Sequence, residues 1–228
     1  MKILGIDEVG RGAVIGPLVL CGLVINENME KELKKIGVKD SKELSPKKRE
    51  ELAEKIEQIV EHTVVVRVPA CNIDDYRKRG INLNQLEAIK MADIVNIVNP
   101  DLVIVDAPSN DSSTKFRDYF VSKLDNKNVK LICENFADKN YPVVSAASIV
   151  AKVDRDKKIE ELKKELNYDF GVGYSHDAKT IAFLEKYAQD HNGKMPKNVR
   201  TTWDTVVQIT KKYKQGGLKS FLGKIIKK

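Results

Sequence analysis

The feature that most constrains the fold is the stretch 3–12, in which a short apolar run leads into two adjacent carboxylates and then a Gly-Arg-Gly turn. An apolar, β-branched run before a glycine-rich break predicts a buried strand that ends at a site. Asp7 and Glu8 are costly there unless a positive group holds them, because like charges in a low-dielectric pocket raise each other's pKa. A divalent cation, or a phosphate group shared with Arg11, would serve.

The alternative for these two acids is a strand that simply ends in a solvated acidic turn. Successive residues of a regular strand face opposite ways, so Asp7 and Glu8 meet in one site only if the chain bends there. Gly10 and Gly12 permit such a bend without requiring it.

Apolar runs and helical patterns alternate along the rest of the chain. The patterns predict strands at 2–7, 14–24, 62–68, 101–108 and 129–133, and helices at 29–36, 45–61, 82–98, 113–124, 143–166, 179–189 and 203–213. Ser45 before Pro46 marks a helix start, as does Asn82, and residues 73–76 are expected in a polar loop. A hairpin followed by strands that helices separate predicts an α/β fold, a mixed sheet with helices on its faces.

The charge is concentrated at the end of the chain. The seven lysines from 211 onward, with no acid among them, equal the whole net charge of +7. The sequence pI of about 9.1 is compatible with a nucleic-acid partner, although the body of the protein is balanced.

Cysteine usage and hydropathy favour a cytoplasmic protein. Cys21, Cys71 and Cys133 are isolated, which indicates reduced thiols rather than disulfides or a CxxC site. The longest apolar run, 14–25, is interrupted by glycine and proline, so we expect no membrane span, and no signal peptide is visible.

Three predicted strand ends or adjacent loops carry acids: Asp7 with Glu8, then Asp106, then a loop with Asp138. Carboxyl ends of neighbouring strands are where α/β sheets build their sites. Four carboxylates without a histidine or cysteine cluster favour Mg²⁺ or Mn²⁺ over zinc. Such a set suits two-metal phosphodiester hydrolysis.

An ordered series of motifs runs along the chain: GIDEVGRG at 5–12, IGPLV at 15–19, DSK at 40–42, VDA at 105–107, ADKNYPVVSAASIVAKV at 137–153, RD at 155–156 and GY at 173–174. In this order the motifs resemble the ribonuclease HII family, the type 2 ribonucleases H, in its archaeal branch. Val9 stands where the family usually has alanine, a conservative departure.

The resemblance implies an RNase H-like catalytic domain, which we place at 1–198, before a helical, Lys-rich extension at 199–228. It also implies endonucleolytic cleavage of RNA in RNA–DNA hybrids and at ribonucleotides embedded in DNA, leaving 5′-phosphate and 3′-hydroxyl ends. The implied catalytic, metal-binding acids are Asp7, Glu8, Asp106 and Asp138.

The resemblance further implies substrate contacts. The ribose 2′-OH, the group that separates RNA from DNA, would be read by the backbone of Gly10, Arg11 and Gly12 and by Tyr174. Phosphates would be held by Ser41, Lys42, Arg11 and Lys152. Structural alternatives exist for three of them: Tyr174 could be a packed loop tyrosine, and Lys42 and Lys152 could be solvated charges. We expect His176 in a surface loop, and Ser145 and Ser148 to pack a helix start.

Two rival functions stay open at this point. One is a catalytically silent module that binds hybrids, which would lack one of the four acids. The other is a nuclease of the same fold that acts on DNA junctions, which the Gly-Arg-Gly turn and Tyr174 argue against.

The lysine-rich tail has three possible roles: a helix packed on its own domain, a basic arm for DNA, or a sliding-clamp-binding peptide. The clamp peptide pattern would use Gln215, Leu218, Phe221 and Leu222, although Leu222 stands where an aromatic residue is usual. We expect the protein to be a monomer.

Overall fold

A five-stranded mixed sheet organises the computed structural model, which describes residues 1–38, 44–108 and 113–225, the side chains of 113 and 215–225 excepted. The strands are β1 (Lys2–Val9), β2 (Leu18–Asn26), β3 (His62–Val68), β4 (Leu102–Asp106) and β5 (Lys130–Glu134). The helices are α1 (Glu30–Lys35), α2 (Pro46–Glu57), α3 (Ala70–Lys78), α4 (Leu83–Val98), α5 (Ser113–Ser122), α6 (Ala137–Asn140), α7 (Pro142–Leu166), α8 (Ala178–Asp190) and α9 (Asp204–Ile225).

The sheet has the strand order β3-β2-β1-β4-β5. β1 pairs antiparallel with β2 and parallel with β4, and β4 pairs parallel with β5. Ile6 pairs with Val105, so the next residues, Asp7 and Asp106, reach the same level at the carboxyl ends of neighbouring strands. The parallel register therefore brings two acids together that are far apart in the sequence.

These strands belong to the first of two compact units, which comprises Met1–Arg11, Leu18–Arg67 and Gly80–Lys157. Helices cover both faces of its sheet. On one face α4 lies close, because a Cβ added at Gly22 would stand 2.6 Å from a methyl carbon of Ile94. On the other face α7 begins against β1, where a Cβ at Gly5 would stand 2.8 Å from the backbone of Val143. Only glycine allows α7 to start so near the strand.

The second unit comprises Gly12–Pro17, Val68–Arg79 and the chain from Lys158 onward. Its core is built from the end of α7, from α8 and from the first turns of α9, with Ile15, Phe170 and Val206 fully buried among them. Buried Asp74 on α3 holds the turn that precedes α9 by accepting hydrogen bonds from the amide and hydroxyl of Thr201, both at 2.7 Å, and from those of Thr202, at 3.1 and 2.6 Å.

The predicted fold class, a mixed sheet flanked by helices, is confirmed, and so are several local signals. Ser45 caps α2 by accepting from the Lys48 amide at 3.3 Å. Asn82 and Gln85 form a capping box at α4. The division into domains at 198/199 stays a prediction.

Two expectations for the first half of the chain were wrong. Residues 73–76 are not a polar loop but part of α3, in which Ile73 and Asp74 are buried. The second strand begins at Leu18 rather than near 14, because Gly16 adopts a left-handed φ of +91° and Pro17 follows it. Val14 and Ile15 contribute to the core of the second unit instead.

Candidate active site

Asp7, Asp106 and Asp138 form an acidic group at the carboxyl ends of β1 and β4. Asp106 Oδ1 accepts a hydrogen bond of 2.8 Å from the amide of Ala137, the residue before Asp138. Asp138 was expected in a loop and instead lies in the short helix α6, where it is buried. The Ala137 contact thus ties one acid directly to the turn that carries another.

The electrostatics show that these acids affect one another. Burial is the main cause that raises the pKa of Asp7 to about 7, and the negative charges of Asp106 and Asp138 add to it. In the opposite direction act a hydrogen bond from the Ser148 side chain and one of 2.8 Å from the Glu8 amide. Ser148, expected to pack the start of α7, therefore also contacts a candidate catalytic acid.

Glu8 lies in a different environment from Asp7. The strand continues to Val9 without a break, and the left-handed turn at Gly10, with φ of 92°, comes only afterwards. Burial raises the pKa of Glu8 well above its usual range, and the charges of Glu87, Asp7 and Asp106 reinforce the shift. Glu8 thus interacts electrostatically with helix α4 as well as with the acidic group, although the strand does not bend between the two acids.

Glu87 was missed from the sequence, although it is fully buried on α4. It forms an ion pair with Arg11, whose guanidinium also donates to Asn84. A signal was present, because Glu87 shares one helical face with Met91 and Ile94, both buried. A glutamate on an apolar face requires a partner, and here that partner is the arginine of the Gly-Arg-Gly turn.

Tyr174 lies in the second unit beside the segment that follows Arg11. Its backbone pairs with Ala13, and the Gly173 carbonyl accepts from the amides of Val14 and Ile15 at 2.8 and 3.1 Å. A Cβ built on Gly12 would meet no atom of the described residues within 4 Å, so packing does not require glycine there. Gly12 and Tyr174 therefore lie close together, with open space at the glycine.

Hydrogen bonds to the start of α8 hold the loop that contains Tyr174 in place. Gly173 N donates to Thr180 Oγ1 at 3.0 Å, and Asp177 Oδ2 accepts from Val172 N at 2.8 Å. That amide is the main cause that lowers the pKa of Asp177. His176 is exposed, as expected, and its ring stacks on Tyr174 with centroids 5.4 Å apart.

The predicted phosphate-binding lysine, Lys152, forms an ion pair with Asp156. Burial is the main cause that lowers the pKa of Lys152. Asp156 also accepts from Arg49 at 3.1 Å, and Arg49 donates to the Leu44 carbonyl at 2.6 Å. The other predicted phosphate ligands, Ser41 and Lys42, lie outside the described residues, as do the side chains of the predicted clamp peptide.

The donor chemistry of the acidic group suits a hard divalent cation, because its ligands are carboxylate oxygens. Among the described residues, Glu8 Oε2 and Asp138 Oδ1 are buried and lack a hydrogen-bond partner. Across the same residues, no three or more His, Cys, Asp or Glu side chains are grouped closely enough to hold an ion together. The carboxylates of the acidic group therefore suit a cation in chemistry and charge, although the described residues do not form a complete set of ligands around one position.

Comparison with known proteins now gives the class and the family. The family model for ribonuclease HII matches residues 4–206. Ribonuclease HII of Methanosarcina acetivorans is 42% identical over 225 residues, covering 96% of this chain and 100% of that protein. None of the helices in the described ranges has the length and hydrophobicity needed to traverse a lipid bilayer.

Solved structures of similar ribonucleases also match the fold of this chain. Ribonuclease H2 of Pyrococcus horikoshii matches with a TM-score of 0.85 and 40% identity, covering 94% of this chain and 99% of that one. A PCNA–ribonuclease HII complex from Archaeoglobus fulgidus matches with a TM-score of 0.79 and 37% identity, covering 90% and 96%. The fold and the matches define an endonuclease of the hydrolase class, a ribonuclease H that acts on RNA–DNA hybrids. The chain belongs to the ribonuclease HII family.

Proposed function

We propose that this ribonuclease H uses Asp7, Glu8, Asp106 and Asp138 to bind divalent ions and hydrolyse the phosphodiester. The observation that carries the proposal is the parallel register of β1 and β4, which brings Asp7 and Asp106 to the same level, with the Ala137 amide joining Asp106 to the turn that carries Asp138. Like charges gathered in a buried place are unfavourable for the fold alone, and a divalent cation offsets that cost. Mg²⁺ and Mn²⁺ both suit carboxylate oxygens.

The residues of the chain have separable tasks in this proposal. Ions held by these four carboxylates would activate a water molecule and stabilise the leaving oxygen, so that cleavage would leave 5′-phosphate and 3′-hydroxyl ends. The Ser148 side chain and the Glu8 amide hold the Asp7 carboxylate in one orientation. The Ala137 amide does the same for Asp106, so that the carboxylates keep their places before substrate arrives.

The substrate range in the proposal includes single ribonucleotides embedded in duplex DNA. Support comes from the pairing of Ala13 with Tyr174, which places the tyrosine beside Gly12. The open space at Gly12 allows a sugar to approach the backbone, and the 2′-OH both donates and accepts hydrogen bonds. Arg11, Ser41, Lys42 and Lys152 would contact phosphates.

The test uses three labelled duplexes: a long RNA–DNA hybrid, DNA with one ribonucleotide, and all-DNA of the same sequence. We expect the first two to be cut with Mg²⁺ or Mn²⁺, and none to be cut in chelator. Binding without cutting would support the silent module. Equal treatment of the single-ribonucleotide duplex and the all-DNA duplex, without cleavage directed to the ribose, would support the rival nuclease.

A second function, sliding-clamp binding through Gln215, Leu218, Phe221 and Leu222, is favoured by one observation. The similar ribonuclease HII of Archaeoglobus fulgidus was solved as a complex with PCNA. A pull-down with the clamp of the same organism tests it. Deletion of 214–228 and the double variant Phe221→Ala/Leu222→Ala should both abolish capture, whereas Lys219→Ala/Lys224→Ala should keep it. Capture that survives the deletion would remove the proposal.

A further inference from the structure

Phe136 combines two unusual features. Its backbone is left-handed, with φ of 62° and ψ of 32°, at the residue that precedes α6. Its side chain is 56% exposed. A bulky residue pays a steric cost in this conformation that glycine does not, and such outliers concentrate at functional sites.

The left-handed backbone serves the acidic group. It precedes the Ala137 amide, which donates to Asp106 Oδ1 at 2.8 Å, and the Phe136 carbonyl accepts from the Lys139 amide at 3.0 Å. Asp138 lies inside this turn and is buried. The conformation is therefore required by the acids, but a glycine would supply it at lower cost.

The ring of Phe136 has to be explained separately, because the backbone requirement does not call for it. Ala137 packs into the core of the first unit, whereas most of the Phe136 side chain faces solvent. The Lys139 ammonium lies 5.1 Å from the ring centroid. An aromatic face and a positive charge are thus presented together within two residues of Asp138.

We propose that Phe136 and Lys139 form a contact for the nucleic-acid strand beside the catalytic acids. The ring would stack on a base or a sugar face, and the ammonium would neutralise a neighbouring phosphate. Aromatic stacking combined with positive charge is the general means of holding a strand without reading its sequence. This inference depends on the proposed role of Asp138 as a catalytic acid.

The test measures kcat and KM on a long RNA–DNA hybrid. Phe136→Gly keeps the left-handed backbone and removes the ring, so KM should rise about fivefold or more while kcat stays within about twofold. Phe136→Trp keeps an aromatic ring and should keep the wild-type KM. This result would also show that a substitution at position 136 does not by itself unfold the protein. Lys139→Gln should raise KM and reduce the slope of log KM against log salt by about one phosphate contact.

Ile97→Ala is the matched control, because Ile97 is 72% exposed in the last turn of α4. The next residue, Val98, accepts from Lys2 at the opposite end of β1 from Asp7. The KM of the Ile97→Ala variant should equal that of the wild type. If the wild type fails to cut the hybrid, the proposed function fails. If the wild type cuts it and Phe136→Gly has the wild-type KM, or loses only kcat, the strand contact is refuted.

Discussion

Two buried aspartates, one in each unit, have opposite surroundings. Asp7 is 5% exposed and is accompanied by the charges of Asp106 and Asp138. Asp74 is 3% exposed and accepts four hydrogen bonds from Thr201 and Thr202. The same side chain is thus placed among negative charges in one unit and among donors in the other.

The difference separates a candidate functional carboxylate from a structural one. A buried charge surrounded by donors stabilises the fold, because removing it leaves those donors unsatisfied. A buried charge among like charges costs stability and persists where a cation or substrate requires it. Substitutions at carboxylates of the two kinds should therefore have opposite effects on activity and on stability.

Asp7→Asn should abolish cleavage while the protein stays folded. Without the charge, divalent ions lose a ligand, and we expect the rate on the RNA–DNA hybrid to fall on the order of 10³-fold or more. Steady-state assays with Mg²⁺ and with Mn²⁺ check this, with circular dichroism as the folding control. Near-wild-type turnover would place Asp7 with Asp74 as a structural residue.

The same variant should be more stable than the wild type when no divalent ion is present. Burial, reinforced by the charges of Asp106 and Asp138, raises the pKa of Asp7 from its ordinary value of 3.8 to about 7 in the folded protein, so the folded state binds the proton more tightly. The free energy of unfolding of the wild type should therefore fall as the pH rises from about 4 to 7 and stay level above pH 7. The fall should be at most roughly 1.4 kcal/mol for each unit by which the pKa is raised. Urea unfolding at pH 5 and pH 8 in chelator measures it; a variant less stable at pH 8 would contradict it.

Asp74→Ala should have the opposite result. It leaves the donors of Thr201 and Thr202 without their acceptor, so the free energy of unfolding should fall by roughly 3 kcal/mol. Cleavage per folded molecule should be unchanged at low temperature. Thr202→Val, which removes one of the four hydrogen bonds, is the graded control and should cost about 1 kcal/mol. A loss of kcat in folded Asp74→Ala would break the comparison.

Glu87→Gln tests the buried carboxylate that holds Arg11. The amide keeps the shape but loses the ion pair, so hybrid cleavage should drop about tenfold through a less well-positioned Arg11. Asp93→Asn is the control on the same helix, since it breaks a half-buried ion pair of 2.7 Å with Lys90 rather than the pair with Arg11, and should not change the cleavage rate. Equal rates for both variants would assign Glu87 to packing alone.

Tyr174→Phe should have the smallest effect and the most selective one. It removes the hydroxyl and keeps the ring that stacks on His176. Cleavage at a single ribonucleotide should fall about fivefold relative to a long hybrid, the size of one lost hydrogen bond. Tyr187→Phe, in the Tyr187–His191 stack of the same unit, is the control. Equal losses on both substrates would argue against reading of the 2′-OH.

The parts of the fold that depend on local signals could be predicted from the sequence. Ser45 and Asn82 were identified as caps because their partners lie three residues away. The strand that ends in Asp106 was identified because a run of valine and isoleucine leads into it. The position of Asp106 beside Asp7 follows from the parallel register of β1 and β4, and the catalytic roles of the two acids stay predictions.

The parts that depend on distant partners could not be predicted. Asp74 made residues 73–76 look like a polar loop, since the threonines that satisfy it lie 127 and 128 residues further along. The apolar face around Glu87 indicates that it needs a partner, but that partner, Arg11, is 76 residues away and could not be identified from the sequence. The left-handed conformation at Phe136 has no signal in its side chain, because aromatic residues rarely adopt it.

The most direct test of the central claim is the change in Tm on adding Mn²⁺ at pH 8, without substrate, for the wild type and for Asp7→Asn. If the buried acids of the first unit require a cation, Mn²⁺ should raise the Tm of the wild type clearly and that of the variant much less. No change in the wild type at a Mn²⁺ concentration that supports cleavage, or equal changes in both proteins, would contradict the account.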